Sequence, residues 1–360
     1  IKRALESSSP VLLHVITKKG AGYPPAEQNP SKFHGVGPYD IETGELSKKS
    51  HGVLTYTQAF SATLLKEAEK DNTIVAITAA MIDGTGLRPF VDKYPERSFD
   101  VGIAEGHALG MASGLALGGL KPVVAMYSTF LQRAIDQTII NNALPDLDIV
   151  LAVDRAGLVG DDGPTHHGVF DIVYLRMIPN LKVLAPADES ELASALHTAL
   201  ALKGPVALRY PRGEACGVPL PDNPELLEVG KSRCVREGKD VSILSFGRML
   251  SCACEAADIL EEHSISARVV DMRWIKPLDI EAIRAASKTS LIVTLEEGVI
   301  EGGVGEEVLE VLVKEHLHSN VVNLGIPDTF IEQGSVAHLF QDLGLDGEGI
   351  AASILNHLNK

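Results

Sequence analysis

One acidic residue stands where a strand pattern passes directly into a helix pattern. The segment SFDVGIAE, ending at Glu105, predicts a buried strand, and small and apolar residues continue to about Ala116. Parallel sheets bind ligands at the carboxyl edge of their strands, and an apolar helix behind a carboxylate limits its solvation. Glu105 is therefore a candidate for binding or proton transfer. The alternative is a first-turn glutamate that only complements the helix dipole.

A second group of polar residues follows the predicted strand 148–154. The loop DRAGLVGDDGPTHHG combines glycine, proline and aspartate with two histidines, and such loops carry function more often than packing. Histidine is the side chain whose ordinary pKa suits proton transfer near neutrality, which makes His166 a candidate. The alternative for a loop histidine is an exposed surface residue, and for His167 we expect that alternative. No carboxylate or cysteine pattern completes a metal site with this pair.

Arginines follow the ends of two further predicted strands. Arg155 and Arg212 lie at the same sheet edge as Glu105, and a planar guanidinium binds two phosphate oxygens while it stays charged. Tyr127 and Arg133 are six residues apart where a strand end meets the next helix, so both can face one crevice. The alternatives are solvated arginines and a tyrosine that caps the core.

These residues need a scaffold that brings strand ends together. Short apolar runs rich in β-branched residues alternate with longer helical patterns, which is typical of a parallel sheet with crossover helices. The expected strands are 74–78, 98–103, 122–126, 148–154, 206–211, 241–247, 267–272, 290–297 and 321–325. The expected helices are 56–70, 107–117, 130–142 and 189–202. The sequence thus predicts an α/β fold with two doubly wound domains.

Glycine and proline residues between Arg212 and Pro224 interrupt this alternation, as a linker does. We therefore expect a first domain at 51–215 and a smaller second domain at 228–360. Residues 1–50 are rich in proline and weakly periodic, and we expect them to be the tail of a preceding domain and a connector.

Composition excludes several classes of protein. The 360 residues are 45% hydrophobic and 22% charged, the balance of a globular protein, and the net charge of −16 disfavours nucleic-acid and anionic-membrane partners. No apolar run approaches the roughly 18 residues that a membrane span needs. The four cysteines are too unevenly spaced for a disulfide framework, so we expect reduced thiols and a cytoplasmic location.

Four motifs occur in one characteristic order: FDVGIAEGHA, YSTFLQRAIDQ, DRAGLVGDDGPTHHGVFD and RYPRG. With them, and from TKKGAGY at 17–23 to the C terminus, the chain resembles 1-deoxy-D-xylulose-5-phosphate synthase. The resemblance implies a pyrimidine-binding transketolase-type domain followed by a transketolase C-terminal domain. It also implies thiamine-diphosphate-dependent condensation of pyruvate with D-glyceraldehyde 3-phosphate to 1-deoxy-D-xylulose 5-phosphate and carbon dioxide, a step of isoprenoid precursor synthesis.

The same resemblance assigns roles to residues. Glu105 would accept a hydrogen bond from the pyrimidine ring and favour its imino tautomer, which lets the cofactor act as its own base. His166 and the acidic Asp162 would handle pyruvate and the species derived from it. Arg155 and Arg212 would bind the substrate phosphate.

Further roles follow from the matching motifs. Tyr127 and Arg133 would contact substrate, and Phe130 either packs or stacks near the pyrimidine. In the connector, Tyr23 would bind the cofactor, and Lys19 and His34 would lie beside cofactor and substrate, with His34 among the catalytic residues. Where relatives carry glutamine after the key glutamate, this chain has Gly106, which adds backbone freedom there.

Enzymes of this kind hold the diphosphate through Mg²⁺ with a Gly-Asp-Gly motif and a later asparagine, which this sequence lacks. We therefore assign no metal ligand and expect the motif on a partner chain or a missing N-terminal half, in a homodimer or heteromer. Gly302, Gly303 and Gly305 give only a weak phosphate-loop signal. The alternatives are a β-type subunit of a 2-oxoacid dehydrogenase and a non-catalytic protein derived from the synthase.

Overall fold

The computed structural model describes residues 1–30, 32–46 and 52–358 of the chain. The chain divides into two compact units, Ile1–Gly52 and Val53–Lys360, and each is described by itself. None of the helices in these described ranges combines the length and the apolar character that crossing a lipid bilayer requires.

In its described residues the N-terminal unit has two short helices, α1 (Lys2–Leu5) and α2 (Pro24–Gln28). Three aromatic rings pack together with centroid separations between 5.3 Å and 5.9 Å: Tyr23, Phe33 and Tyr39. The Tyr23 hydroxyl also donates a hydrogen bond to a backbone carbonyl, that of Ile41, at 2.9 Å. These contacts give the unit a small packed centre.

The second unit contains two sheets and their covering helices. The strands of its described residues are β1 (Ile74–Thr78), β2 (Ser98–Asp100), β3 (Lys121–Tyr127), β4 (Val150–Asp154), β5 (Lys182–Leu184), β6 (Val206–Arg209), β7 (Arg233–Arg236), β8 (Val241–Ser245), β9 (Ala267–Asp271), β10 (Trp274–Lys276), β11 (Leu291–Val299) and β12 (Asn320–Ile326). Its α-helices are α3 (Tyr56–Lys70), α4 (Arg88–Lys93), α5 (Glu105–Leu117), α6 (Ser128–Leu131), α7 (Ile135–Gln137), α8 (Asp171–Arg176), α9 (Glu189–Ala201), α10 (Met249–Glu262), α11 (Ile280–Ala286), α12 (Val304–Lys314), α13 (Val336–Leu343) and α14 (Gly347–Leu358).

The larger sheet has the strand order β10-β5-β6-β4-β3-β1-β2. Its neighbouring strands are parallel, except that β10 runs antiparallel to β5. Strands β1 and β4 are buried along their whole length, as expected where helices cover both faces of a sheet. Parallel pairing brings the carboxyl ends of β2, β3, β4 and β6 to one edge, where the candidate site residues of this unit lie.

The smaller sheet has the order β12-β11-β8-β9-β7, parallel except for the antiparallel edge strand β7. The predicted α/β class with two doubly wound sheets is therefore confirmed. Three strands of three or four residues, β5, β7 and β10, were not predicted, because segments so short carry little periodicity.

Strand β10 follows the smaller sheet's β9 in sequence but joins the larger sheet. Trp274 pairs with Leu184 of β5, and the Ala185 N–H donates to the Arg273 carbonyl at 2.7 Å. The Trp274 side chain is fully buried in the same apolar cluster as Phe60. The second part of the sequence thus supplies an edge strand and a core residue to the first.

The segment predicted as a helix at 130–142 is helical but irregular. The segment is broken into α6, a 3-10 turn at Gln132–Ala134, α7 and a π-helix at Thr138–Ala143. The Thr138 hydroxyl donates back to the Ala134 carbonyl at 2.9 Å, a bond that bends helices. The Asn142 amide donates to the Leu109 carbonyl at 3.1 Å, so the π-turn is anchored on α5.

Candidate active site

Glu105 is the first residue of α5, just past the carboxyl end of β2. Its side chain is only 5% exposed, and Arg133 donates from Nη1 to its Oε1 at 2.6 Å. A negative charge at a helix N terminus is stabilised by the helix dipole. Arg133 itself is 56% exposed, so this ion pair connects a buried carboxylate to open surface.

Two stacked aromatic rings adjoin this pair. Tyr127, at the end of β3, and Phe130, in α6, have centroids 5.5 Å apart and planes inclined by 17°. The Arg133 guanidinium lies 4.8 Å from the Phe130 centroid, and the Arg155 guanidinium lies 4.0 Å from the Tyr127 centroid. Both distances are within the range of cation–π attraction. The stack therefore joins two of the candidate arginines.

Arg155 directly follows β4 and adopts a left-handed backbone conformation, with φ of 59°. Its Nη1 lies 3.0 Å from Oδ1 of the buried Asp154 and donates to the Gly84 carbonyl at 2.7 Å. Burial alone would lower the pKa of Arg155, but the adjacent Asp154 carboxylate raises it. The Thr57 hydroxyl donates to the other Asp154 oxygen at 2.8 Å. Arg155 is thus a fixed cation.

The Tyr127 hydroxyl reaches the backbone of Gly84, where a Cβ atom would lie only 2.0 Å from it. Burial raises the pKa of Tyr127, and the attraction of Arg155 only partly offsets that effect. The phenol is therefore a neutral hydrogen-bond donor and acceptor at the sheet edge.

The loop after β4 carries the remaining candidates. Asp162 ends a 3-10 turn at Gly160–Asp162, and Arg212 donates to its Oδ2 at 2.8 Å. The half-buried His166 lies edge-on to Phe130, with a centroid distance of 5.5 Å, and its Nδ1 is 2.9 Å from the Thr165 hydroxyl. Asp162 and His166 therefore reach the same sheet edge from one loop.

The structure thus brings most of the candidates together. Direct contacts run from Glu105 through Arg133 to Phe130. Phe130 contacts His166 on one side and Tyr127 on the other, and Tyr127 contacts Arg155. The Asp162–Arg212 pair is close enough to act electrostatically on Tyr127.

The other three candidates, Lys19, Tyr23 and His34, lie in the N-terminal unit. Lys19 and His34 are exposed there, while Tyr23 packs in the aromatic centre of that unit. Their part in the site stays a prediction.

Gly106 has a spatial explanation. A Cβ atom at this position would lie 3.0 Å from Oε1 of Gln137, which is closer than most real contacts. Residue 106 faces the end of α7, so a larger side chain would have to displace Gln137.

Sequence reasoning missed three contributors to the site. His167 was expected on the surface but is buried at 3% exposure, with both ring nitrogens in hydrogen bonds. Asp154 and Thr57 hold Arg155. An aspartate that ends an otherwise apolar strand was the available signal for Asp154; nothing local in the sequence distinguishes His167 from an exposed loop histidine.

The glycine-rich segment 302–305 is not an open anion site. The Glu296 carboxylate accepts hydrogen bonds from the Val304 and Gly305 N–H groups at 3.0 Å and 2.8 Å, so it already occupies the N terminus of α12. Within residues 1–30, 32–46 and 52–358, no group of three or more His, Cys, Asp or Glu side chains could hold a metal ion.

Comparison with known protein families gives two adjoining matches. Residues 53–217 match the pyrimidine binding domain of transketolase, and residues 230–350 match the transketolase C-terminal domain. The first range contains the whole cluster around Glu105.

Two curated relatives are named 1-deoxy-D-xylulose-5-phosphate synthase. The chain is 52% identical over 351 residues to 1-deoxy-D-xylulose-5-phosphate synthase of Syntrophotalea carbinolica, covering 97% of this chain and 55% of that protein. It is 53% identical over 349 residues to the synthase of Heliobacterium modesticaldum, covering 97% and 54%. The chain spans about half the length of the curated relatives it matches.

Among solved structures, the chain resembles a split-gene transketolase described as an inactive tetramer, "beta4", where beta names the subunit and not a strand. The TM-score is 0.75, and the identity is 32% with 86% of this chain covered. That protein is matched over 99% of its own length, so the likeness extends to its entire fold. Because it has two transketolase domains in tandem and is 32% identical to a transketolase chain that is matched over 99% of its length, this chain belongs to the transketolase family.

Proposed function

We propose that this chain forms the pyrimidine-binding and C-terminal part of a 1-deoxy-D-xylulose-5-phosphate synthase, which condenses pyruvate with D-glyceraldehyde 3-phosphate using thiamine diphosphate. One observation carries the proposal: the buried Glu105 carboxylate is joined by direct contacts to a cluster that holds Arg155 and lies beside Arg212. A cofactor-activating acid and two phosphate-binding cations are what this condensation needs at one sheet edge. The names of the curated relatives support the same reaction.

The residues at this edge fit the pyrimidine end of the cofactor. Glu105 offers a buried carboxylate whose Oε1 alone is engaged by a side chain among the described residues, and Phe130 offers a half-buried ring face beside it. When bound, thiamine diphosphate supplies the carbanion chemistry of the reaction. Glu105 would accept a hydrogen bond from the pyrimidine ring and hold it in register with the sheet edge.

The other residues would act on the substrates. Arg155 and Arg212 would bind the phosphate of glyceraldehyde 3-phosphate, since guanidinium groups bind phosphate oxygens through charge-assisted hydrogen bonds. Arg133, the most open of the three, would bind the pyruvate carboxylate. Tyr127 would orient substrate through its neutral hydroxyl, and His166, beside Asp162, would hold or transfer a proton near the reacting carbonyl.

The remainder of the site would come from elsewhere. Lys19, Tyr23 and His34 would complete it from the N-terminal segment, and Mg²⁺ with the diphosphate would be held by a Gly-Asp-Gly domain outside this sequence. We propose domain limits of 51–215 and 228–360, of which residues 51 and 360 fall outside the described residues. The assembly would be a homodimer or heteromer. The free thiols of Cys216, Cys234, Cys252 and Cys254 support a reducing compartment such as the cytoplasm.

The test is two-carbon transfer from pyruvate to glyceraldehyde 3-phosphate, with the chain alone and with candidate chains that carry the Gly-Asp-Gly motif. We expect product only in the paired reaction. Acetyl transfer to lipoamide would instead identify a β-type dehydrogenase subunit. No turnover in any pairing, together with no cofactor binding by calorimetry, would leave a non-catalytic protein and overturn the proposal.

A further inference from the structure

We propose that His167 is a positioning residue. It binds the backbone N–H of Val159 and thereby fixes the Val159 carbonyl, which orients Arg212 beside Asp162. The proposal rests on the proposed function, because it assigns His167 to the phosphate end of that site. It concerns a residue that touches neither substrate nor cofactor.

The hydrogen bonds of His167 determine which form of the ring is present. The Val159 N–H donates to Nδ1 at 3.1 Å, so Nδ1 must be an unprotonated acceptor. The proton of the neutral ring is therefore on Nε2, which lies 3.3 Å from the Glu332 carbonyl oxygen and donates to it. The imidazole thus bridges the loop after β4 and the segment before α13.

Val159 passes this constraint to the site. Its N–H is held by His167, and its carbonyl accepts from Arg212 Nη1 at 3.0 Å. The same Nη1 donates to Asp162 at 2.8 Å. Because the two groups of Val159 belong to one buried residue, a shift of its amide also moves the acceptor that orients Arg212.

Other groups hold the residues next to Val159, so removal of His167 should affect Val159 and leave its neighbours in place. Gly157 and Gly168 exchange two backbone hydrogen bonds of 2.7 Å and close the neck of the loop. Leu158 donates to Glu297 at 2.6 Å and accepts from Arg248 at 3.0 Å. A buried N–H without an acceptor is costly, so removal of the imidazole should displace Val159 selectively.

Two substitutions separate hydrogen bonding from packing. His167→Leu fills the space with an apolar side chain that offers the Val159 N–H no hydrogen-bond acceptor. His167→Asn places an amide oxygen at the same number of bonds from the backbone as Nδ1, and so should restore the bond from Val159. His197→Ala is the control, since it removes a partly buried histidine of α9 that is bonded to Glu67 of α3.

Hydrogen exchange on the full chain measures the protection of the Val159 amide, and calorimetry with inorganic phosphate measures the arginine site. We expect His167→Leu to lose protection at Val159 and to weaken phosphate binding by about tenfold. His167→Asn should stay within about threefold of wild type on both measures, and His197→Ala should match the wild type.

Equal protection at Val159 in the leucine and wild-type chains would overturn the proposal, as would a phosphate affinity that the leucine variant leaves unchanged. An asparagine variant as impaired as the leucine variant would show that shape, and not the hydrogen bond, matters. Absence of phosphate binding by the wild-type chain would instead count against the phosphate site of the proposed function, while the exchange measurement would still decide the role of His167.

Discussion

Glu105 combines deep burial with an ion pair to Arg133, its one charged partner within residues 1–30, 32–46 and 52–358. Arg133 holds one of its oxygens at 2.6 Å, and the side chain is only 5% exposed at the first position of α5. A buried carboxylate with one strong donor keeps capacity to accept a second. The role proposed for Glu105 needs such a free acceptor.

Glu105→Gln should keep the fold and remove cofactor activation. An amide can still occupy the space, but it cannot carry the charge that favours the imino tautomer, so turnover of the competent assembly should fall by at least about a hundredfold. Steady-state assays measure the loss, and circular dichroism checks the fold. Near-wild-type turnover would contradict the role proposed for Glu105.

Glu296 is a titratable group of a different kind. Burial raises its pKa from 4.5 to about 7, although the Gly305 and Val304 N–H groups oppose the shift. Because the folded-state pKa lies above the unfolded one, its contribution to stability is complete below about pH 4.5 and is lost as pH rises through about 7. At 1.36 kcal/mol for each pH unit, the loss amounts to about 3 kcal/mol.

Glu296→Gln should therefore flatten the pH dependence of unfolding. At pH 5 the variant should be less stable by about 1–3 kcal/mol, because its NH₂ group faces a backbone donor. As pH rises to 8 the difference should narrow, since the wild-type carboxyl then ionises in a buried site. Urea unfolding at both pH values measures this, and parallel pH profiles for the two chains would contradict it.

At the scale of elements, the turn after β1 shapes the site as much as the strand ends do. Gly84 supplies a carbonyl to Arg155 and leaves space for the Tyr127 hydroxyl. Tyr127 in turn stacks on Phe130. A loop with no ionisable candidate of its own thus determines where two candidates stand.

Gly84→Ala should displace Tyr127 with a modest effect on folding. The new Cβ would meet the hydroxyl at 2.0 Å, and relief by a ring shift should cost about 1–3 kcal/mol of stability. Phosphate binding should weaken as well, because Arg155 packs on the displaced ring. Gly114→Ala is the matched control: it lies exposed in α5 with open space around its Cβ position, and it should gain about 1 kcal/mol.

Elements with a strong period were predictable. Helix α3 and strand β1 have the predicted bounds, because a helical pattern and a short apolar run rich in β-branched residues mark them in the sequence. The break between Ser128 and Ala143 was not predictable, since it depends on an anchor to Leu109 of another helix. His167 was missed for the same reason: its partners are backbone groups brought close by the fold.

At the scale of the molecule, the two sheets are joined by the edge strand β10. Trp274 lies, in sequence, among the strands of the smaller sheet, but its side chain is buried in the core of the larger sheet. The sequence showed two α/β halves but not this exchange, since a three-residue strand has too little pattern to assign to a sheet. Shared core residues favour cooperative unfolding of the two halves.

Trp274→Ala should destabilise the whole unit and not one half. Loss of a fully buried indole costs about 3–5 kcal/mol, and we expect one unfolding transition at lower urea concentration. Phe330→Ala is the control, since that ring is 76% exposed and its loss should change stability by less than about 0.5 kcal/mol. Unfolding should be followed by far-ultraviolet circular dichroism, because the variant lacks the one tryptophan of the sequence and its fluorescence. Two separate transitions would show that the halves are not coupled.

The three arginines at the sheet edge each have their own carboxylate: Glu105 for Arg133, Asp154 for Arg155 and Asp162 for Arg212. Three positive and three negative charges cancel, on a chain whose net charge is −16. Such a cluster exerts little long-range pull on a dissolved anion. An anion that binds here must exchange with a resident carboxylate at contact distance, so recognition would depend on fit after arrival, and capture should be slow compared with electrostatically steered sites.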